Sequence, residues 1–509
     1  MSFASLFSAQ TSLLEAHLVR IEIDLSKGLH AFSVVGLPDK AVEESRDRVS
    51  AAIKNADFAK SAAFKAPKHN NMKIVVSLAP ADLKKEGPLF DVPIALAYLY
   101  ASGELEVDLE KKLFFGELSL DGKVRSTSGV LPLVQKAYKE GFEEVFVPAE
   151  NAQEAGLIQD IDIFPVTDLT QLVNHLRGTE RIEPYVRENI AVIASKEQHL
   201  ESIKGQDHAK RGLIIAASGG HNIALYGPPG TGKTMLAKAL CSLLPPLSHP
   251  TALEVTGIHS IAGTLTEPLM AHPPLRSPHH TASYVSLVGG GTTPRPGEVT
   301  LAHRGVLFLD EFPEFDTRVI NALRQPLEDK VVSITRAKGS ATFPSDFILI
   351  AALNPCPCGY YGSNKCTCTP ATLHRYQQKI SGPIMDRIDM WIEVGAIEHS
   401  KLLEKPTNTG ESDKARSTVL KAREKQFARF KVPERLNSGM SPAGLSHHAT
   451  LSESCANILN TAAEKMSLSP RAYHRCIKLA RTIADLEDAT DIQENHILEA
   501  LQYRPKKEF

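Results

Sequence analysis

Apolar and polar positions alternate at Val19, Ile21, Ile23 and Leu25 against Arg20, Glu22 and Asp24, the period of a half-buried strand. Asp39 stands where a side chain would cap a helix with Val42, Val49 and Ile53 on one face. Ile74-Val75-Val76 reads as a further strand, Val92 to Tyr100 as a helix, and Val145 to Pro148 as a strand leaving a βα unit. This succession predicts an α/β domain over residues 1–175, followed by a charged, pattern-poor linker over 176–200. The pattern then changes. Ile223 to Tyr226, Val306 to Leu309 and Ile348 to Ala352 are apolar throughout, as buried strands are. They place a second α/β core over residues 201–398. The stretch Lys405 to Lys414 reads as a mobile connection, and residues 399–509 are rich in helix formers, a helical domain.

Two of the apolar strands end in chemistry. Ile223 to Tyr226 runs into Gly227-Pro228-Pro229-Gly230-Thr231-Gly232-Lys233-Thr234, with a helix-compatible run behind it. A glycine-rich turn at a helix N-terminus turns backbone N–H groups toward phosphate oxygens. Lys233 would reach the β- and γ-phosphates of ATP, and the Thr234 hydroxyl would ligate Mg²⁺. Val306 to Leu309 ends in Asp310-Glu311. Asp310 is expected to hold the Mg²⁺ shell and Glu311 to polarise the attacking water.

Composition narrows the setting. The chain has 509 residues, 42% apolar and 23% charged, as in a soluble globular protein of about three domains. No apolar run nears the ~20 residues of a membrane span, and Met1 to Leu6 lacks the basic start of a signal peptide. A cytoplasmic protein is expected. The net charge of −2 gives no global case for nucleic acid, so any such site must be a local basic surface. Seven cysteines do not suggest a disulfide framework. Four of them, Cys356, Cys358, Cys366 and Cys368, form two close pairs across a polar loop. In a reducing compartment such pairs suit tetrahedral Zn²⁺, although C-x-C is tighter than the usual knuckle spacing. Small buried thiols and a redox pair are the alternatives.

The two nucleotide motifs, with Ser277-Pro278-His279-His280, Pro294 to Glu298, Leu301 to Gly305 and Ser381 to Asp389, resemble AAA+ ATPases of the magnesium-chelatase/MCM branch. They are most similar to the YifB/ComM family of magnesium-chelatase-like proteins. The resemblance implies an AAA+ core with a helix-2 insert, a helical lid, and a homo-oligomeric ring, expected to be a hexamer. It implies sensor 1 at Asn354, an arginine finger at Arg387 acting on a neighbour's ATP, and sensor 2 at Arg471, with Arg475 as the alternate. For Arg387 a local ion pair is the competing reading. Gly205-Gln206 would open the adenine pocket. A hairpin over Val331 to Ser340 would carry Arg336 and Lys338 to DNA, where a solvated turn charge is the alternative. His279 and His280 are either channel contacts or structural.

Gly116 to Val124 and Gly141 to Pro148 resemble the Lon protease fold, which the recombination factor RadA also uses. The serine and lysine positions of the Lon dyad fall on Leu89 and Leu131, so peptidase chemistry is not expected. Lys65, Lys68, His69 and Lys73 form a candidate basic patch. Three functions compete: a DNA motor for helicase or branch-migration work in natural transformation, a chelatase-type remodeller of a protein partner, and a Lon-like protease. The hairpin and the RadA-like domain favour the first.

Overall fold

The structure, a computed structural model, describes residues 3–60, 66–69, 71–187, 199–291, 294–336, 339–362, 364–380, 382–395, 410–432 and 434–505. Their contacts divide into two units, residues 1–191 with 253–269 and residues 192–252 with 270–509.

In the first unit β1 (Phe3–Ser12) and β2 (Glu15–Lys27) pair antiparallel, and β3 (Ala31–Val35) and β4 (Met72–Ala79) extend the sheet beyond β2. The alternation read in the sequence holds, with Val19, Ile21, Ile23 and Leu25 all buried. Helix α1 (Lys40–Asn55) opens on Asp39, whose carboxylate accepts the Val42 N–H at 2.8 Å. Then follow α2 (Asp91–Ala101), β5 (Lys112–Phe114), α3 (Val130–Lys139), β6 (Glu144–Pro148), β7 (Asp162–Val166) and α4 (Leu169–Leu176). The sheet order is β3-β4-β2-β1-β5-β6-β7, parallel from β1 onward.

Both edges of this unit differ from the expected boundaries. The segment expected as linker stays on the unit as far as Arg187: Ile182 is buried, and Arg187 donates to the carbonyls of Gly156, Ile158 and Ile161. Residues 188–198 lie outside the described residues. Residues 253–269, expected in the second core, group with the first unit instead. The physical reason is both apolar and polar: Leu253 and Leu269 pack against the cluster around Leu131 and Val147. Glu154 is a buried carboxylate that accepts the Leu131 N–H at 2.8 Å and the Ser260 hydroxyl, while Ser260 Oγ accepts the Gly129 N–H at 2.9 Å. A buried carboxylate without such donors would cost several kcal/mol, on the order of a broken buried pair.

The second unit runs α5 (Asp207–Gly219), β8 (Ile223–Tyr226), α6 (Lys233–Leu243), β9 (Leu275–Arg276), β10 (Val306–Leu309), α7 (Arg324–Asp329), β11 (Val331–Arg336), β12 (Gly339–Pro344), β13 (Ile348–Leu353), α8 (Pro370–Gln378) and β14 (Met390–Glu393). Strands β8, β10 and β13 are covered on both faces, which is why their sequences are apolar throughout. The sheet order is β9-β10-β13-β8-β14 with every neighbour parallel. Helices α9 (Glu411–Phe430), α10 (Glu453–Met466), α11 (Pro470–Leu486) and α12 (Glu494–Gln502) complete a helical C-terminal region. The connection expected over Lys405 to Lys414 lies outside the described residues through 409, and from Glu411 it is already helix. Glu411 and Asp413 favour that start, because acids in a first turn oppose the helix dipole. No helix among the described residues is long and apolar enough to cross a membrane.

Candidate active site

Three neighbouring strands of the parallel sheet end together. β8 delivers the loop Gly227 to Thr234, β10 delivers Asp310-Glu311, and β13 delivers Asn354. Gly232 caps α6 at φ 89, a left-handed conformation that a side chain would resist. Lys233 folds back over the loop. Its Nζ donates to the Gly227 carbonyl at 2.8 Å, the Pro228 carbonyl at 2.9 Å and Asn354 Oδ1 at 3.1 Å. Burial pushes the Lys233 ammonium down from its ordinary pKa, against the opposing pull of Asp310. A phosphate bound at this loop would offset the burial of the ammonium with its own charge.

The Thr234 hydroxyl donates to Asp310 Oδ2 at 3.2 Å. Two neighbouring oxygens on an octahedral Mg²⁺ shell with ~2.1 Å bonds sit about 3.0 Å apart, so the pair fits that ion. Glu311 adopts φ 51, a left-handed conformation that turns the chain sharply after β10. Its carboxylate meets His280 Nδ1 at 3.1 Å. His280 lies four residues beyond β9, and its sequence alone did not reveal Glu311 as its partner.

The two arginines read from the sequence converge. Arg387 is largely buried, donates to the Pro383 carbonyl at 2.6 Å and rests on Glu328 Oε2 of α7. Arg471, one residue inside the Ser469-capped start of α11, donates to Glu328 Oε1 at 3.1 Å. Arg387 is therefore ion-paired within its own chain, with Glu328 rather than with the aspartates beside it. Its neighbour Asp389 instead takes Arg475 at 3.2 Å and the Asn222 N–H at 3.0 Å. Glu328 and Asn222 carried no motif, and their long-range pairing could not be read from spacing. Gln206 donates through Nε2 to the Gly395 carbonyl at 2.6 Å, tying the start of α5 to the end of β14.

Cys356, Cys358, Cys366 and Cys368 stand together, their sulfurs all within 4.8 Å of one another. The Sγ separations are 3.3 Å from Cys356 to Cys358, 3.9 Å from Cys356 to Cys366 and 3.6 Å from Cys358 to Cys366. A tetrahedron of thiolates at Zn–S ≈ 2.3 Å has edges of about 3.8 Å, so the donor set and its spacing fit Zn²⁺. N–H groups of Tyr360 and Thr367, with the Cys356 thiol, hold the Cys358 thiol down at about 6. Cys455 and Cys476 are buried in the helical region, whereas Cys241 in α6 is only half-buried.

Arg336 ends β11 and faces Gly339 across the expected hairpin, while Lys338 lies outside the described residues. Lys65 is also outside them, and Lys68 is paired with Asp47 at 2.7 Å, so Lys68 does not stand as a free basic charge. Leu89 and Leu131 pack into one apolar cluster with Phe115 and Val147, leaving no polar nucleophile or base at either position.

In open parallel sheets ligands bind beyond the carboxyl ends of the strands, and that is where phosphate loop, acidic pair and amide meet. Together with the helical C-terminal region this is the arrangement of the AAA+ ATPase class. Three family descriptions match the chain: "Magnesium chelatase, subunit ChlI" over residues 199–402, "Subunit ChlI of Mg-chelatase" over 21–151, and "Magnesium chelatase, subunit ChlI C-terminal" over 409–504. The competence protein ComM of Haemophilus influenzae is 41% identical over 514 residues, covering 99% of this chain and 98% of that protein. YifB of Escherichia coli is 39% identical over 489 residues, covering 96% of this chain and 94% of its own length. The chain belongs to the YifB/ComM family of magnesium-chelatase-like proteins. A more distant likeness, 27% over 207 residues, covers 38% of this chain and 20% of the DNA replication licensing factor mcm6 of Schizosaccharomyces pombe.

Proposed function

We propose that this chain is an ATP-driven motor on DNA, a hexameric ring that unwinds or branch-migrates recombination intermediates and serves natural transformation. The observation that carries the DNA half of this reading is the 41% identity, over 99% of this chain, to a protein named for competence, supported by the likeness to a DNA replication licensing factor. The ATPase half rests on the geometry at the ends of β8, β10 and β13.

ATP would sit on Gly227 to Thr234, with Lys233 released from Gly227 and Pro228 toward the β- and γ-phosphates. Mg²⁺, held by Thr234 and Asp310, would neutralise charge on the phosphate oxygens. Glu311 would take the proton of the attacking water and Asn354 would orient that water. Arg387 of a neighbouring subunit would stabilise charge on the γ-phosphoryl oxygens. Arg471 shares Glu328 with that finger, which supports reading the two as one device. The β11–β12 hairpin with Arg336 and Lys338 would hold the DNA backbone, a contact sensitive to salt. The helix-2 insert is read in the stretch carrying the short helix Tyr284–Val288 and the ladder Gly289–Gly290 with Arg295–Pro296. The four cysteines are read as a structural Zn²⁺ site. The amino-terminal unit is read as a Lon-like domain without protease chemistry, which the apolar surroundings of Leu89 and Leu131 support.

A second reading, a chelatase-type ATPase that remodels a protein partner for metal insertion, draws on the family descriptions themselves. ATP turnover measured with single-stranded, duplex and four-way-junction DNA across a salt series separates the two. Stimulation that fades with salt supports the DNA motor. Turnover indifferent to every DNA overturns it in favour of the chelatase-type reading.

A further inference from the structure

The cysteine loop touches the nucleotide site at both ends and in the middle. Cys356 lies two residues beyond Asn354. The loop leads into α8, whose Tyr376 hydroxyl donates back to the Asn354 carbonyl at 3.1 Å. Between these anchors Gly359, at φ 82, lies flat against Pro229 of the phosphate loop. A β-carbon on Gly359 would fall 2.6 Å from Pro229 Cδ, so only glycine allows the approach. Pro229 has no N–H with which to be tied in place. The surface beneath it therefore sets where this rim of the phosphate loop sits.

That surface is a turn closed by the Gly359 N–H on the Cys356 carbonyl at 2.9 Å, with two of the four cysteines inside it. Four protonated thiols are weak mutual partners, and ionised ones repel. A metal converts the same cluster into a fixed cross-link, because its binding energy becomes local folding energy. We propose that a thiophilic divalent cation on Cys356, Cys358, Cys366 and Cys368, Zn²⁺ by its donor set, is the brace that holds Gly359 under Pro229. Metal occupancy and nucleotide affinity are then coupled, and equally in both directions. This rests on the Zn²⁺ reading of the cluster and goes beyond it, since a merely local knuckle would leave the nucleotide site unmoved.

The test uses the full-length chain as purified under reducing conditions. Metal content is measured by mass spectrometry, and a fluorescent ADP analogue is titrated before and after stripping with a strong chelator, with circular dichroism confirming that the stripped chain stays folded. The expected result is one zinc per chain and an ADP affinity that falls about five- to tenfold on stripping and returns with added Zn²⁺. Saturating ADP should slow zinc release to the chelator. Gly359→Ala keeps all four thiolates, so it should retain zinc and still bind ADP more weakly. If the stripped chain unfolds, zinc release from the native chain with and without saturating ADP decides the matter, equal release overturning the coupling. ADP affinity unchanged in the stripped but folded chain, or unchanged in Gly359→Ala with full zinc content, overturns the brace and leaves the Zn²⁺ reading standing. Absence of zinc, with the four thiols alkylated as freely as in a short peptide, overturns both.

Discussion

The Arg387 guanidinium rests on the Glu328 carboxylate, and Arg471 takes the other oxygen of the same group at 3.1 Å. One carboxylate thus sets the spacing of two arginines that come from distant parts of the chain. Removing it would leave the largely buried Arg387 without its charged partner. Glu328→Ala should therefore preserve nucleotide affinity while turnover falls about tenfold, a modest share of what a finger supplies. Steady-state ATPase together with ADP titration checks the split between the two.

The same pair carries a pH signature. The hydrogen bond from Arg387 holds the Glu328 carboxyl below its ordinary pKa. A depressed carboxylate contributes stability that is fully present above the unfolded value of about 4.3 and is lost as pH falls through the folded one. The melting-temperature gap between the wild type and Glu328→Gln should be constant from pH 8 to about pH 5 and shrink below about 4.3. Glu328 is half exposed, so the gap should correspond to no more than about 1 kcal/mol. A gap that widens on acidification would contradict the pairing.

Arg387 itself provides the sharpest check on assembly. An arginine finger is worth roughly 10³–10⁵ in turnover, so Arg387→Ala should be nearly inactive with normal ADP binding. Lys233→Ala should be inactive because it loses the triphosphate. Mixing the two variants should restore part of the activity, since some interfaces then join an intact phosphate loop to an intact finger. If the mixtures stay as inactive as their parts, the role in trans is refuted.

Glu311 is held at φ 51 with His280 Nδ1 at 3.1 Å. Glu311→Gln should bind ATP and assemble while losing at least about 10² in turnover, the usual contribution of a general base. His280 engages a carboxylate that would otherwise be free to turn toward water. His280→Ala should therefore raise DNA-independent turnover by about two- to fivefold, the worth of one exposed polar contact. A fall in turnover would mean that the histidine aims the base rather than restrains it.

The sequence made the nucleotide edge legible because its parts are local. Gly227 to Thr234 are contiguous, Asp310 and Glu311 end one apolar run, and Asn354 ends another. Alternation at Val19 to Leu25 and the cap at Asp39 were legible for the same reason. Arg387 shows where local reading stops: flanking aspartates suggested a neighbouring partner, whereas the chain brings Glu328 from 59 positions away. Residues 253–269 show it again, since the Ser260 hydroxyl that Glu154 accepts lies 106 positions on. Polar partners fixed by tertiary folding have no periodicity to betray them.

Asp389 is the buried carboxylate on which the segment between Arg387 and β14 depends. Its Oδ2 accepts the Asn222 N–H at 3.0 Å, and the Asn222 carbonyl in turn accepts the Asp389 N–H at 3.0 Å. Burial alone would push the Asp389 carboxyl up, but Arg475 and His221 override it and hold it well below the usual range. Its folded pKa is thus depressed, so its contribution is complete above the unfolded value of about 3.9 and is lost as acid drives the pH through the folded value. Asp389→Asn keeps the shape and the acceptor while leaving Arg475 without its charge partner, a loss of about 3–5 kcal/mol for a broken buried pair. Denaturant unfolding at pH 7 and pH 5 should show this deficit undiminished at both. A deficit below about 1 kcal/mol, or one that vanishes by pH 5, would mean that Arg475 finds another partner and that Asp389 does not anchor the segment behind Arg387.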